Sequence, residues 1–294
     1  MPLEPIGDLM RHARAGGYAV GYFESWDMAS LQGTLDAAEA ARAPVVIGFN
    51  GEFLSGEHEQ PERLALYGAM GRAAAQSATV PCSFIFNECP RDDWTRRAVT
   101  SGFNLVMPAD AAAEPDDYLR RVAAIVDYAH NHDVFVEAEL GELPCGAGGA
   151  IQGNGAMTDP AQAARFAAES GVDLLAVSIG NVHIRLRGEQ GLDLNQLRAI
   201  RESVDVPLVL HGGTGIAADS LRAAIGLGIT KVNFGTNLKL RYLTAIRETL
   251  KNEEANPHRL LGMGGSEDVM DAGRRAVCAA VTERMRFLGC SGRA

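Results

Sequence analysis

Two histidines stand at the ends of short apolar runs. His183 follows the run 174–179, and His211 closes Val206–Leu210 directly before Gly212-Gly213-Thr214-Gly215. A histidine on a strand end is a rigid mount for a metal ligand or an acid–base group. A glycine-rich turn lets backbone N–H groups approach an anion at the next helix N-terminus. Asn181 lies beside His183, and the other apolar runs also end in polar groups: Glu24, Asn50, Asn87 with Glu88, Asp110, Glu139, and Asn233 with Thr236. Asn50 and Asp110 read as turn-forming and helix-capping residues. The chain has only seven histidines, so two of them on consecutive strand ends with carboxylates near suits a divalent transition metal.

Such groups meet only if the runs are neighbouring parallel strands. The runs Tyr18–Phe23, Val45–Phe49, Cys82–Phe86, Asn104–Met107, Val134–Leu140, Leu174–Ile179, Val206–Leu210 and Lys231–Phe234 read as strands. Between them, 27–42, 61–78, 91–101, 115–132, 159–170, 193–203, 217–227 and 237–252 have helical spacing, and a last helix spans 266–288. Asp159 followed by Pro160 is a helix-start cue. Near-continuous apolar strands alternating with helices imply a parallel sheet covered on both faces. Eight repeats imply closure, hence an α/β fold: a single (β/α)₈ TIM barrel over 1–294 with an extra C-terminal helix. The active site of such a barrel occupies the C-terminal rim. The irregular stretch 141–157, with six glycines, reads as a mobile loop above it.

Bulk properties narrow the function. With 294 residues, 47% hydrophobic, the chain can bury a large core, and a net charge of −10 argues against nucleic acid or an anionic membrane surface as partner. No apolar run is long enough to span a bilayer, and the N-terminus lacks a signal-peptide core. Five cysteines without a C-x-x-C pair suit reduced thiols, so a cytoplasmic location is expected.

Several motifs occur in one order: Tyr18-Ala19-Val20-Gly21-Tyr22-Phe23, Val136-Glu137-Ala138-Glu139-Leu140-Gly141, Gly171-Val172-Asp173 leading to His183, Pro207 to Gly215, Lys231-Val232-Asn233 with Thr236, and the tail Phe287 to Ala294. Together they resemble the class II, metal-dependent ketose-bisphosphate aldolases, in particular the fructose- and tagatose-bisphosphate branch. The resemblance implies Zn²⁺ or another divalent transition metal that stabilises the enediolate left when a ketose carbon–carbon bond breaks. It places His183 and His211 among the ligands, Asn233 at the reacting oxygens, and Gly212, Gly213, Thr214 and Thr236 in the phosphate-binding region. Glu139 matches an alternative metal position. A homodimer or homotetramer and a sugar phosphate or related anionic ketose as partner are implied in the same way.

The departures are specific. The family's Asp-His pair after the third strand is Asn87-Glu88 here. Asn87 has no titratable proton, although it can still hydrogen-bond a substrate hydroxyl. Glu88 is read as the third metal ligand in place of histidine, with the alternative that it is the general base and Glu139 completes the metal shell. Glu142 and Glu24 are the further candidates for proton transfer. Glu24 stands where the family has asparagine, Ile184 where it has glycine, and Gly235 where it has an acidic residue. The expected activity is a metal-dependent aldolase-type lyase with altered acid–base residues. The alternatives are a metal-dependent isomerase, epimerase or hydrolase on the same barrel, or a non-catalytic sugar-phosphate-binding paralogue.

Overall fold

The apolar runs form eight parallel strands that close on themselves in chain order: β1 (Val20–Ser25), β2 (Val45–Asn50), β3 (Cys82–Cys89), β4 (Leu105–Pro108), β5 (Phe135–Leu140), β6 (Leu174–Val177), β7 (Leu208–Leu210) and β8 (Ile229–Phe234). This computed structural model describes residues 3–56, 61–110, 113–141, 143–144, 155–182, 188–251 and 254–294. His183, Ile184, Glu142 and most of the 141–157 loop lie outside them.

The helices are α1 (Ile6–Gly16), α2 (Met28–Ala41), α3 (Gly51–Ser55), α4 (Pro61–Ser77), α5 (Asp92–Thr100), α6 (Pro115–His130), α7 (Pro160–Ser170), α8 (Leu194–Ser203), α9 (Ala218–Gly226), α10 (Thr236–Thr249), α11 (Pro257–Leu260) and α12 (Val269–Leu288). The result is the expected (β/α)₈ barrel with an added C-terminal helix. Strands β1, β2 and β8 are buried along their whole length, because helices cover one face and barrel side chains fill the other. Among the described residues no helix is long and apolar enough to cross a membrane.

Several boundaries differ from the sequence reading by a few residues, and three of them have a local reason. The first strand starts at Val20, not Tyr18, because α1 ends in a left-handed Gly17 cap and the chain must turn before it extends. Its frame therefore includes Glu24 within the strand. The third strand runs on through Asn87 and Glu88 to Cys89. The last helix starts at Val269, because Asp268 caps it by accepting from Met270 and Asp271 N–H. Helix α1 was not anticipated, although Ile6, Leu9, Met10 and Ala13 follow helical spacing and are buried. The Asp159 cue holds: its carboxylate accepts from Gln162 N–H at 2.9 Å.

Helix α12 packs against α2 and α10. Gly33 permits the first contact, since a Cβ there would collide with the Arg274 carbonyl and press on Val277. The Arg274 guanidinium grips Asp36 of α2 through two hydrogen bonds of 2.5 and 2.7 Å. Gly33→Ala is expected to destabilise the protein by about 1–3 kcal/mol despite alanine's better helix propensity, because the clash is with backbone. Urea unfolding checks this, and a neutral or stabilising result would mean the helices separate freely.

Candidate active site

Glu88, Glu139 and His211 come from β3, β5 and the end of β7, and they meet at the C-terminal end of the barrel. His211 is almost fully buried. Its Nδ1 lies 3.3 Å from Glu88 Oε1 and 3.3 Å from Glu139 Oε2. Its Nε2 lies 3.1 Å from Glu137 Oε1. A carboxylate only accepts, so Nε2–H donates to Glu137, and Nδ1 is the atom presented to the other two carboxylates.

Glu88 reaches this position through a distorted backbone. The β3–β4 register shifts between Phe86 and Cys89, and Glu88 has φ +54°. A non-glycine residue in the left-handed region costs on the order of 1 kcal/mol and bulged strand ends re-aim side chains. Asn50 secures the result by donating Nδ2 to Glu88 Oε2 at 2.9 Å. In a pair of variants that both lack the carboxylate, Glu88→Gly is expected to be about 1 kcal/mol more stable than Glu88→Ala. Equal stability in urea would show that the turn carries no strain.

Beneath this cluster lies a charged floor inside the barrel. Lys231 of β8 and Glu137 of β5 are fully buried and 2.8 Å apart. Those strands are not neighbours, so their side chains meet only across the barrel interior. Lys231 also donates to Asn233 Oδ1 at 2.7 Å, which leaves Asn233 Nδ2 buried without a partner. Burial opposes ionisation of Glu137, but Lys231 and His211 outweigh it and hold the carboxyl below its usual value. Burial likewise works against charge on His211, yet Glu139, Glu137 and Glu88 push it up to about 10. The cluster thus draws positive charge strongly, as a proton or as a cation.

The donor chemistry fits a divalent ion. Two ligands each about 2.1 Å from a tetrahedral ion stand about 3.4 Å apart, close to the 3.3 Å from His211 Nδ1 to each carboxylate. His211 Nδ1 and Glu139 Oε1 are buried without hydrogen-bond partners, and a histidine whose other nitrogen is held by a carboxylate is the usual metal-binding arrangement. By themselves, no three His, Cys, Asp or Glu side chains among the described residues are arranged to hold a metal ion. The sequence offers His183 as a further donor, outside those residues.

Above the cluster opens a cavity of about 330 Å³, enough for a small sugar derivative. Of the residues singled out in the sequence, Glu24, Asn50, Asn87, Glu88, Gly212, Thr214, Asn233, Gly235 and Thr236 line it. Asn87 is buried and its Oδ1 has no partner. Gly212 takes the left-handed conformation and starts a 3₁₀ turn at Gly213–Gly215. The following helix, α9, begins only at Ala218, so the N–H groups of the glycine-rich run belong to this turn and not to a helix N-terminus. Gly213 is buried against Phe234 and Val232 of β8.

Sequence reading missed Glu137, Lys231, Tyr22 and Lys239, and treated Asn50 as a cap. Asn50 does accept from Phe53 N–H, but it also positions Glu88. Asp110 binds Arg121 at 2.6 Å, a structural ion pair. The overlooked clue was parity: Glu137 shares a face with Glu139, and Lys231 with Asn233. A charge inside an apolar strand needs a partner, and each supplies the other's.

The chain matches the fructose-bisphosphate aldolase class-II family over residues 4–293. It is 32% identical to a probable fructose-bisphosphate aldolase of Bacillus subtilis (strain 168), over the full length of both chains. It is 31% identical to the fructose-bisphosphate aldolase of Geobacillus stearothermophilus, covering 100% of this chain and 99% of that one. Among solved structures, the YdjI aldolase from Escherichia coli K12 superposes with a TM-score of 0.82 at 30% identity, covering 99% of each chain. The protein belongs to the class-II fructose-bisphosphate aldolase family.

Proposed function

We propose that this aldolase-type lyase makes and breaks a carbon–carbon bond in a phosphorylated ketose, using a divalent cation held by His211, Glu88 and Glu139 together with His183. The observation that carries this reading is the convergence of two carboxylates on the unpartnered Nδ1 of a buried histidine whose Nε2 is already engaged. When bound there, a divalent cation supplies Lewis-acid polarisation of the ketose carbonyl and stabilises the enediolate.

The chain's own groups do the rest. Asn233, fixed by Lys231 through Oδ1, is left with Nδ2 to donate to a reacting oxygen. Asn87 can hold a substrate hydroxyl through its unpartnered Oδ1 but cannot move its proton, so proton transfer falls to a carboxylate. Glu142 is the candidate from the loop. Glu88 is the other, if Glu139 completes the cation's shell. The turn at Gly212 and Thr214 takes the phosphate.

Solvent exchange tests the reading. The purified protein, metal-loaded, is expected to exchange one C–H proton of dihydroxyacetone phosphate with deuterium, and to cleave a longer ketose phosphate to that compound and an aldehyde. Exchange without any cleavage or condensation would favour an isomerase or epimerase. Absence of both would remove the lyase reading.

A further inference from the structure

The cavity is not symmetric in charge. Its β1–β3 side carries Glu24, Glu52 and Glu88 with the amides of Asn50 and Asn87. Lys239 is the single basic residue lining the cavity among the described residues, and it is already engaged. Its ammonium lies 2.6 Å from Glu24 Oε1 and 4.2 Å from the centre of the Phe53 ring. The other Glu24 oxygen packs against Gly235, where any Cβ would overlap it. Glu24 therefore occupies the space at the start of α10, a helix whose first turn has no acidic residue and whose N-cap makes no side-chain hydrogen bond. An anion from outside would have to displace a carboxylate that is about nine-tenths buried and ion-paired.

The same wall is rich in groups that recognise hydroxyls. The Tyr22 hydroxyl is buried, lines the cavity and has no partner, as does the Asn87 Oδ1. Burial, reinforced by Glu24, Glu88 and Glu137, keeps the Tyr22 phenol neutral and hence a donor. Carboxylates and an amide oxygen accept hydrogen bonds from sugar hydroxyls, whereas they repel a phosphate.

We propose, on the basis of the lyase reading above, that the β1–β3 wall selects an uncharged polyhydroxy aldehyde as the portion of the substrate released on cleavage, with Glu24 and Lys239 as the specificity-determining pair. The substrate would then carry one phosphate, at the Gly212–Thr214 turn, and hydroxyls but no second phosphate at its far end. A second phosphate on the wall would add like charge in a partly enclosed cavity, worth at least about tenfold in discrimination.

The test is aldol condensation by the metal-loaded protein, with dihydroxyacetone phosphate as donor and either glyceraldehyde or glyceraldehyde 3-phosphate as acceptor. Deuterium exchange of the donor alone is measured in parallel. The expected result is exchange, with kcat/KM at least about tenfold higher for glyceraldehyde. Exchange with equal or better use of the phosphorylated aldehyde overturns this inference and leaves the lyase reading standing. Absence of exchange overturns the lyase reading and this inference with it. Two variants sharpen the outcome. Glu24→Gln releases Lys239 and should move the preference toward the phosphorylated acceptor, whereas Lys239→Met leaves Glu24 uncompensated and should move it further toward the neutral one. Shifts in the same direction would point to general damage and contradict the assignment.

Discussion

His211→Ala is expected to lower kcat/KM for ketose-phosphate cleavage by at least about 10³-fold while leaving a folded barrel. The histidine is the point where the two halves of the site join. Its Nδ1 faces Glu88 and Glu139, and its Nε2 is tied to Glu137. Removing it takes away the nitrogen ligand and leaves two carboxylates facing each other across the gap. The structural cost is expected to be smaller, because Glu137 keeps Lys231 as its partner. Circular dichroism and steady-state kinetics separate the two effects. An active His211→Ala variant would mean that the chemistry occurs elsewhere in the cavity.

Glu137→Gln should be the most destabilising single change in the site. It leaves the Lys231 ammonium, fully buried, with no countercharge in contact, and breaking one side of such a pair costs about 3–5 kcal/mol. Replacing both partners with apolar residues of similar volume, as Glu137→Leu with Lys231→Met, should recover most of that loss. Metal affinity should not recover, because His211 would still lack the acceptor that orients its ring. Loss of such a support typically weakens binding about 10–100-fold. Urea unfolding of the two single variants and the double variant, followed by metal titration, measures both. If the double variant is no more stable than either single one, the pair stabilises the barrel beyond what its burial costs. If it binds metal normally, Glu137 does not orient His211.

The barrel was legible because most strands are buried on both faces, which writes near-continuous apolar runs into the sequence, and because the intervening helices keep their spacing. Glu88, Glu139 and His211 were legible for the same reason: a polar residue closing an apolar run is conspicuous. Their exact approach was not. Glu88 reaches His211 only through a bulge and a left-handed backbone, which residue types do not announce. Glu137 was hidden by lying inside its run and Lys231 by opening one, both away from the C-terminal ends where polar groups stand out. The pairing of Glu24 with Lys239 joins residues 215 positions apart, so neither looked unusual alone. Gly235, read as the loss of an acidic residue, proves to be the space into which the Glu24 carboxylate fits.

The metal content of the purified chain bears most directly on the reading of the site. After exhaustive chelation and reloading with zinc, the wild-type protein is expected to retain about one ion per chain, as structural and catalytic zinc sites do. His211→Ala, His183→Ala and Glu88→Gln should each retain far less under the same dialysis, with the fold verified in each. Equal retention by the wild-type chain and all three variants would contradict a metal site built from these residues.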